Sequence, residues 1–459
     1  MAPVETAKTT ADASFSRRAI VWQVLSLAWP VVIEQTLGTA VGLVNTYIVG
    51  HLGAAPLAAV SLSTQLSNLL MGLFSAVGVG STALVARHIG AREHREATQI
   101  AGQSLLLAVV VGLLAALPCL LWGEAVLVAL GGAQDVVALG RSYLLAVGTT
   151  MPMMALLFIG NAALRGAGDT RTPMLVMGLV NLTNVTLSWS LVHGLGPLPA
   201  LGVLGAGIGS AAGMGVGGMI LTLILLRGRS TVRLRRVSGV LRFRPQQTWR
   251  LVRIGLPSGA EQVAMRLAQL VLATVVTQLG TAAYAGHQLG IRLLSVAFMP
   301  GFAFSVAATT LVGQELGQGA PRRAEACVYT ASLMAVGVMC SVGAAVFLLA
   351  EPLLHIFTSE PEVIAQGLRA VPGCALLQFP LAWYFVFAGA LRGAGDTRFV
   401  LLAQAAPIWL VRLPLASRLG IIFGLGLTGV WAAMIIDMAG RAALLALRFR
   451  SGNWKRLQV

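Results

Sequence analysis

Two glutamates, Glu34 and Glu261, interrupt long apolar stretches at matching local positions. Each lies four residues after a proline, and each is followed by a glutamine, Gln35 or Gln262. A carboxyl group in apolar surroundings is favoured in its protonated form, and it releases the proton when water reaches it. A proton carrier requires this property. The alternative, which the sequence leaves open, is that each carboxylate is neutralised by a neighbouring arginine.

Glu261 is the stronger candidate because cations lie near it. Arg266 follows five residues later, and we expect Arg412 to reach the carboxylate from another helix. A nearby cation stabilises the ionised form of a carboxyl group. Asp437 and Arg441 are four residues apart, which places them on one face of a helix and predicts an ion pair. Asp437 is therefore a third candidate for binding a coupling ion, with structural pairing as the favoured interpretation.

Further polar side chains in apolar stretches are candidates for lining a cavity. A histidine such as His287 suits pH sensing, but a single histidine in such a segment is more often a hydrogen-bonded structural residue. Gln278 and Gln378 belong to the same polar class. The candidates for contact with a solute are Asn45, Asn181, Asn184, Gln35, Gln262, Arg266, His287, Gln288 and Arg412.

One octapeptide, Leu-Arg-Gly-Ala-Gly-Asp-Thr-Arg, occurs twice, at residues 164–171 and 391–398. Its Gly-Ala-Gly-Asp portion predicts a tight turn whose aspartate caps the next helix. We expect the flanking arginines to anchor the helix ends and to pair with that aspartate. The motif is interpreted as a structural hinge, and secondarily as a gating contact. It comprises Arg165, Gly166, Gly168 and Asp169 in the first copy and Arg392, Gly393, Gly395 and Asp396 in the second.

These residues belong to a chain of 459 residues that is 57% hydrophobic and only 10% charged. Soluble domains are about one-quarter charged, so the composition excludes an ordinary soluble enzyme and a disordered protein. The net charge of +16 would suggest nucleic-acid binding in a soluble protein. Here the basic residues concentrate in loops between apolar segments, which indicates membrane topology instead.

The apolar runs predict an all-α integral membrane protein with twelve transmembrane helices. Arginine-rich loops alternate with loops nearly free of basic residues, so both termini are expected in the cytoplasm and the protein in the inner or plasma membrane. The basic loop 227–251 is expected to anchor this topology, with contact to anionic lipids as the alternative. The expected spans are 22–48, 56–84, 98–122, 136–161, 172–193, 200–226, 252–278, 283–312, 325–349, 363–390, 399–421 and 425–447.

The two octapeptides are 227 residues apart, and the same offset aligns Glu34 with Glu261. The chain is therefore a duplicated six-helix unit, and an even number of helices makes the copies parallel repeats. Two similar helical bundles with a cleft form an architecture that is suited to transport by alternating access. The predicted parts are a cytoplasmic N-terminal tail (1–20), an N-lobe (21–226), a linker (227–251), a C-lobe (252–448) and a cytoplasmic tail (449–459).

No motif of soluble catalysis fits its context. Residues 213–218 match the GxGxxG pattern but lie within an apolar helix, which favours close helix packing. The four cysteines lack CxxC spacing, so neither a disulfide nor a metal site is predicted. The six histidines are scattered. We expect no enzymatic activity, no cofactor and no bound metal.

The chain resembles multidrug and toxic compound extrusion (MATE) transporters of bacterial type in three features of its sequence. These are the octapeptide pair, Val-Gly-His-Leu-Gly at 49–53, and Ile-Gly-Leu-Pro-Ser at 254–258. The resemblance runs from about residue 20 to residue 448. It implies a V-shaped antiporter with two lobes that expels organic, often cationic, compounds in exchange for H⁺ or Na⁺.

Three positions depart from the pattern of that family. Many bacterial members have an aspartate in the first helix where this chain has Asn45. Some have another aspartate in the fifth helix where it has Ser188, and others have a glutamate in the seventh where it has Met265. Glu261 lies one turn before Met265 on the same helix face, so we expect it to replace the missing carboxylates. The intramembrane arginines leave an anionic or zwitterionic solute open.

The leading hypothesis is a cation-coupled efflux antiporter that works as a monomer in the lipid bilayer. Its partner is expected to be a small organic solute, and no nucleic acid is involved. The alternative is a flippase of the same superfamily for a lipid or a lipid-linked precursor.

Overall fold

The computed structural model describes residues 16–194, 199–227, 234, 239–240 and 242–457, which form helices joined by short connections. The predicted N-terminal tail (1–20) therefore lies largely outside the described residues, as do residues 228–233, 235–238 and 241 of the predicted linker (227–251), whereas the last seven linker residues, 245–251, form the start of α8. The first half contains α1 (Arg17–Gly50), α2 (Ala54–Gly90), α3 (His94–Leu121), α4 (Gly123–Ala129), α5 (Gln134–Gly166), α6 (Arg171–His193) and α7 (Val203–Arg227).

The second half repeats this order. It contains α8 (Pro245–Thr277), α9 (Thr281–Gly317), α10 (Pro321–Leu348), α11 (Ala350–Phe357), α12 (Pro361–Gly393), α13 (Thr397–Pro407), α14 (Leu413–Ser417) and α15 (Gly426–Arg450). Two π-helical turns, Ile408–Arg412 and Arg418–Ile422, make α13 and α14 into one continuous span. A 3₁₀ turn, Asn453–Arg456, follows α15.

Every predicted span coincides with a helix. Eleven helical segments of the described chain are long and apolar enough to cross a membrane. The twelfth, α8, has 33 residues but is less apolar because Arg250, Arg253, Glu261 and Arg266 lie within it. Together they form the all-α, two-lobe arrangement of twelve transmembrane helices. The sequence did not predict the short helices α4 and α11, which follow α3 and α10.

The duplication is visible in the helix boundaries. The starts of α2 and α9, and those of α5 and α12, are 227 residues apart. Gly168 and Gly395, the second glycines of the two octapeptides, both have φ of 87°, a left-handed conformation that favours glycine. The register changes only before the last helix of each half, because the connection preceding α15 is shorter than the one preceding α7.

The first parts of α1 and α8 pack against the opposite half of the chain. Val24 and Val31 of α1 belong to the hydrophobic core formed mainly by α9, α10, α12 and α15. Leu251 and Ile254 of α8 belong to the core formed by α2, α3, α5 and α7. The two lobes are thus joined by a reciprocal exchange of helix ends.

The lobes meet most closely where the octapeptides lie, at what we call the motif end. A Cβ atom at Gly90 would lie 1.9 Å from the carbonyl oxygen of Gln314, and one at Gly317 would lie 2.0 Å from that of Arg87. Only glycine allows α2 and α9 to approach this closely. Away from this end, residues 36–47 of α1 are exposed on nearly every face, so this part of α1 packs closely against neither lobe.

Candidate coupling and solute sites

Glu34 of α1 forms a buried ion pair with Arg165 at the end of α5. Its Oε1 atom lies 2.5 Å from Nη2 of Arg165, and the two side chains are 6% and 12% exposed. The proline one turn earlier, Pro30, has no backbone N–H to donate to the carbonyl of Ser26. The hydroxyl of Thr170 donates to that carbonyl at 3.5 Å. The octapeptide therefore contacts α1 at both positions.

Glu261 of α8 forms the equivalent pair with Arg392 at the end of α12. Oε1 of Glu261 accepts from Nη2 of Arg392 at 2.6 Å and from the hydroxyl of Tyr384 at 3.4 Å. In both lobes the paired residues are 131 positions apart. Duplication has preserved an ion pair between the glutamate after the helix proline and the first arginine of the octapeptide.

One oxygen of each glutamate has no partner. Oε2 of Glu34 and Oε2 of Glu261 are buried without a hydrogen-bond partner among the described residues, and so is Nε of Arg165. An unpaired buried oxygen beside a charged group is costly. Each carboxylate therefore retains capacity for a proton, a cation or a water molecule.

The first ion pair lies next to a contact between the lobes. Thr310 of α9 donates its hydroxyl to the carbonyl oxygen of Arg165 at 2.9 Å, and Nε2 of Gln314 donates to the carbonyl oxygen of Gly166 at 3.2 Å. The side chain of Arg165 thus binds α1 while its backbone binds the other lobe.

The expected approach of Arg412 to Glu261 was wrong. Nε of Arg412 donates to Oδ2 of Asp437 at 2.8 Å, because the π-helical turn that ends at Arg412 faces α15. Arg266 also does not pair with Glu261, since its side chain is exposed. The nearest cation to Glu261 comes from the octapeptide instead.

Asp437 is completely buried and accepts hydrogen bonds from two arginines, Arg412 and Arg441. The predicted pair between Asp437 and Arg441 is confirmed. Nη1 of Arg441 also donates to Oε1 of Gln404 at 3.4 Å, and Nε2 of Gln404 reaches the sulfur of Met265 at 3.4 Å. Two cations and one anion therefore share a buried position in the C-lobe.

The two octapeptide aspartates have different partners. Asp169 caps α6 as predicted, since its carboxylate accepts from the backbone N–H of Thr172 at 3.0 Å and from its hydroxyl at 2.7 Å. Asp396 instead accepts from Nε of Arg448 at 2.8 Å, and Phe399 occupies the place of Thr172. The expectation that the flanking arginines pair with these aspartates was wrong, because Arg165 and Arg392 bind the glutamates.

The neutral polar candidates of the N-lobe lie mainly on one face of α6. Asn181, Asn184 and Ser188 are all buried. Asn184 donates to the hydroxyl of Ser210 at 3.3 Å and accepts from Ser188 at 3.4 Å. Nδ2 of Asn181 and Oδ1 of Asn45 are buried without a partner in the described chain. The unpaired polar atoms of these N-lobe candidates are therefore uncharged, whereas the buried polar cluster of the C-lobe is charged.

The remaining candidates do not form one site. Gln35 and Gln262 are half-buried beside the glutamates, whereas Gln278 and Gln288 are exposed. His287 is buried with its ring centroid 5.7 Å from that of Trp431, and its Nδ1 has no partner among the described residues. Gln378 donates to the carbonyl oxygen of Cys374 within its own helix.

Comparison with known proteins identifies the family. The MatE sequence profile matches residues 30–190 and again residues 257–417, so each repeat matches it once. The chain belongs to the MatE family. MATE proteins are transporters, and this one is accordingly not an enzyme. It is a multi-pass integral membrane protein.

The MATE chain is similar along nearly its whole length to a probable multidrug resistance protein, NorM, of Thermotoga maritima. The two are 32% identical over 437 residues, which are 95% of this chain and 94% of the relative. The fold of this chain is similar to that of a solved structure described as the outward-facing conformation of a multidrug resistance MATE family transporter, with a TM-score of 0.87 and 23% identity over 94% of this chain and 95% of that one. A transporter from Pyrococcus furiosus, described as having a binding pocket of reverse polarity, gives the same values.

The MATE chain contains contacts at the candidate sites that its sequence did not predict. The sequence predicts a hinge role for Arg165 and Arg392 and no pairing with the glutamates, and it gives no indication of the contacts of Tyr384, Thr310 and Gln404. One signal was present, because both arginines and both glutamates recur at the same offset. Among the described residues, no group of three or more His, Cys, Asp or Glu side chains could hold a metal ion.

Proposed function

We propose that this MATE transporter exports organic solutes in exchange for H⁺ or Na⁺, with its two lobes alternating in access. The family, the parallel repeats and the contact between lobes at the motif end support this proposal. The arginines near the motif end, such as Arg87, Arg171 and Arg398, favour a cytoplasmic location for that end and for both termini. The similar NorM protein is named for multidrug resistance.

The repeated glutamate–arginine pair carries the proposal for coupling. Glu34 and Glu261 each have one oxygen bound to arginine and a second buried oxygen, Oε2, that remains unpaired. Binding of H⁺ or Na⁺ at this oxygen reduces the attraction of the carboxylate for its arginine. In the N-lobe, a released Arg165 loosens the backbone to which Thr310 of the other lobe is bonded. Cation binding in one lobe thereby changes the contact between lobes.

The energy available is sufficient for efflux. One proton moving inward across about 150 mV releases about 3.5 kcal/mol. Because 1.4 kcal/mol corresponds to a factor of ten, this can sustain a gradient of a few hundred-fold for a neutral solute. A single coupling carboxylate is therefore enough.

The flippase alternative depends on a cationic cavity at membrane depth, and the placement of the three intramembrane arginines, Arg266, Arg292 and Arg412, argues against it. Arg266 and Arg292 are exposed, and Arg412 is bound to Asp437. A cationic or neutral solute is the better match for the uncharged Nδ2 of Asn181 and Oδ1 of Asn45, which have no partner in the described chain. The similar Pyrococcus transporter is described as having a binding pocket of reverse polarity. The polarity of the pocket in this chain should therefore be tested with both cationic and anionic probes.

The test measures dye efflux from proteoliposomes under an imposed pH gradient and, separately, an imposed Na⁺ gradient. Glu34→Gln and Glu261→Gln are compared with Glu124→Gln, whose carboxylate is 61% exposed and pairs with Arg141 at the surface. We expect gradient-driven efflux to be lost in at least one of the first two variants and kept in the control. Normal efflux by the double variant would refute these coupling sites. Transport of neither cationic nor anionic dyes under either gradient would refute the antiport proposal.

A further inference from the structure

A cavity of about 210 Å³ lies at the motif end, between the start of α8 and the start of α13. Its lining includes Arg250 and Arg253 of α8, residues 395–398 of the second octapeptide, and Leu457. One water occupies ~30 Å³, so the cavity has room for a phosphate-sized group. It is separate from Asp437 and from the N-lobe candidates.

The cavity is strongly cationic. Arg250, Arg253 and Arg398 line it, and the carboxylate of Asp396 is neutralised by Nε of Arg448 at 2.8 Å. Arg253 and Arg398 are exposed, and their side chains form no hydrogen bond or ion pair within the described part of the chain. A guanidinium group matches the geometry of a phosphate and can donate two parallel hydrogen bonds to two of its oxygens.

Apolar side chains frame the basic residues. Trp249 is 63% exposed and Leu256 is 61% exposed. Their spacing relative to Arg253, four residues before it and three after it, places all three side chains on one face of α8. Exposed tryptophan is typical of the boundary between lipid tails and water. A bound group at this position therefore meets both positive charge and an apolar surface.

The first lobe contains the same scaffold without the two α8 arginines. By the 227-residue offset, Gln23 and Ser26 occupy the places of Arg250 and Arg253, although Arg171 is retained in the place of Arg398. Gln23 accepts from Nη2 of Arg323 at 3.3 Å, and Arg171 lies 5.9 Å above the ring of Trp29. The pair of basic residues Arg250 and Arg253 is therefore a feature of the second repeat alone.

We propose that this cavity binds the phosphate headgroup of an anionic phospholipid, with the acyl chains along Trp249 and Leu256. The cavity includes Leu457, whose carbonyl oxygen accepts from Nη2 of Arg87 in the other lobe at 3.2 Å. A lipid bound there contacts a segment that joins the lobes. Basic pockets between transmembrane helices are suited to such headgroups. This proposal is independent of the transported solute.

The experiment uses the full chain in detergent and measures bound lipid by native mass spectrometry. Phosphatidylglycerol is compared with phosphatidylcholine of the same acyl chains and with inorganic phosphate. The first repeat supplies the substitutions for the test variant, Arg250→Gln with Arg253→Ser. Arg171→Gln is the matched control in the first lobe, and Arg398→Gln is a second variant that leaves α8 unchanged.

Two basic contacts contribute about a thirty-fold difference in affinity. We therefore expect the Arg250→Gln/Arg253→Ser variant to bind one phosphatidylglycerol about thirty-fold more weakly, and Arg398→Gln to bind it about five-fold more weakly. Arg171→Gln should bind as the wild type does. Equal retention of phosphatidylcholine, displacement of the lipid by millimolar phosphate, or unchanged binding by both test variants would each overturn the proposal.

Discussion

Thr310 of the C-lobe donates its hydroxyl to the carbonyl oxygen of Arg165 in the N-lobe at 2.9 Å. The guanidinium of the same arginine binds Glu34. A single residue therefore links a buried carboxylate to the contact between lobes. Under the proposed coupling, a change in the charge of Glu34 acts through Arg165 on the segment that Thr310 contacts.

Replacing Thr310 with valine should loosen the motif end. Valine has nearly the same shape, but the carbonyl of Arg165 loses a hydrogen bond worth about 1 kcal/mol, or roughly a five-fold change in an equilibrium. Hydrogen exchange of the peptide that covers residues 165–171 should accelerate about five-fold. Thr222→Val is the control, because that hydroxyl bonds only within its own helix. Equal exchange in both variants would show that the contact between lobes does not depend on this bond.

Asp437→Asn should be among the most destabilising substitutions in the C-lobe. It leaves Arg412 and Arg441 close together without their carboxylate, and Arg441 is only 2% exposed. Removing one partner of a buried ion pair costs about 3–5 kcal/mol. Thermal unfolding can be followed with a thiol-reactive dye, since Cys119, Cys327 and Cys374 are buried until the protein unfolds.

The matched variants test whether unpaired charge is the cause. Adding Arg412→Gln to Asp437→Asn should recover part of the lost unfolding temperature, because one of the two uncompensated cations is removed. The exposed Glu124→Gln substitution should change that temperature little. A double variant less stable than Asp437→Asn would contradict the electrostatic explanation.

Local features of this structure were predictable from the sequence, and distant pairings were not. The cap formed by Asp169 and the pair of Asp437 with Arg441 involve residues within one turn, so helix geometry fixes them. The pair of Glu34 with Arg165 spans 131 positions and depends on how α1 and α5 pack. The apolar pattern of the sequence shows that α1 is partly buried, but it does not show which lobe α1 packs against.

Trp454 anchors the end of the described chain, and Trp454→Ala should release it. The side chain is fully buried, its ring stacks on that of Phe449 at 4.7 Å, and Nε1 donates to the carbonyl oxygen of Phe449 at 2.7 Å. Truncating a buried tryptophan costs about 3–5 kcal/mol. Cleavage by trypsin after Lys455 should become much faster, as measured by mass spectrometry. Trp22→Ala is the control, since Trp22 is 66% exposed, and it should leave the rate unchanged.

The crossing of α2 and α9 should tolerate no side chain at Gly90 or Gly317. A methyl group at either position meets a carbonyl oxygen at about 2 Å, so the helices must separate. Such overpacking typically costs 1–3 kcal/mol. Gly38→Ala is the matched control, because nothing lies within 4 Å of a Cβ there, and alanine favours a helix over glycine by about 1 kcal/mol.

The double variant distinguishes steric separation from independent local damage. Once one methyl group has moved the helices apart, the second finds part of the space already made, because both contacts belong to one crossing. We therefore expect the loss of thermal stability in Gly90→Ala/Gly317→Ala to be smaller than the sum of the two single losses. Strict additivity would mean that the two glycines act separately and that α2 and α9 do not move as rigid bodies at the motif end.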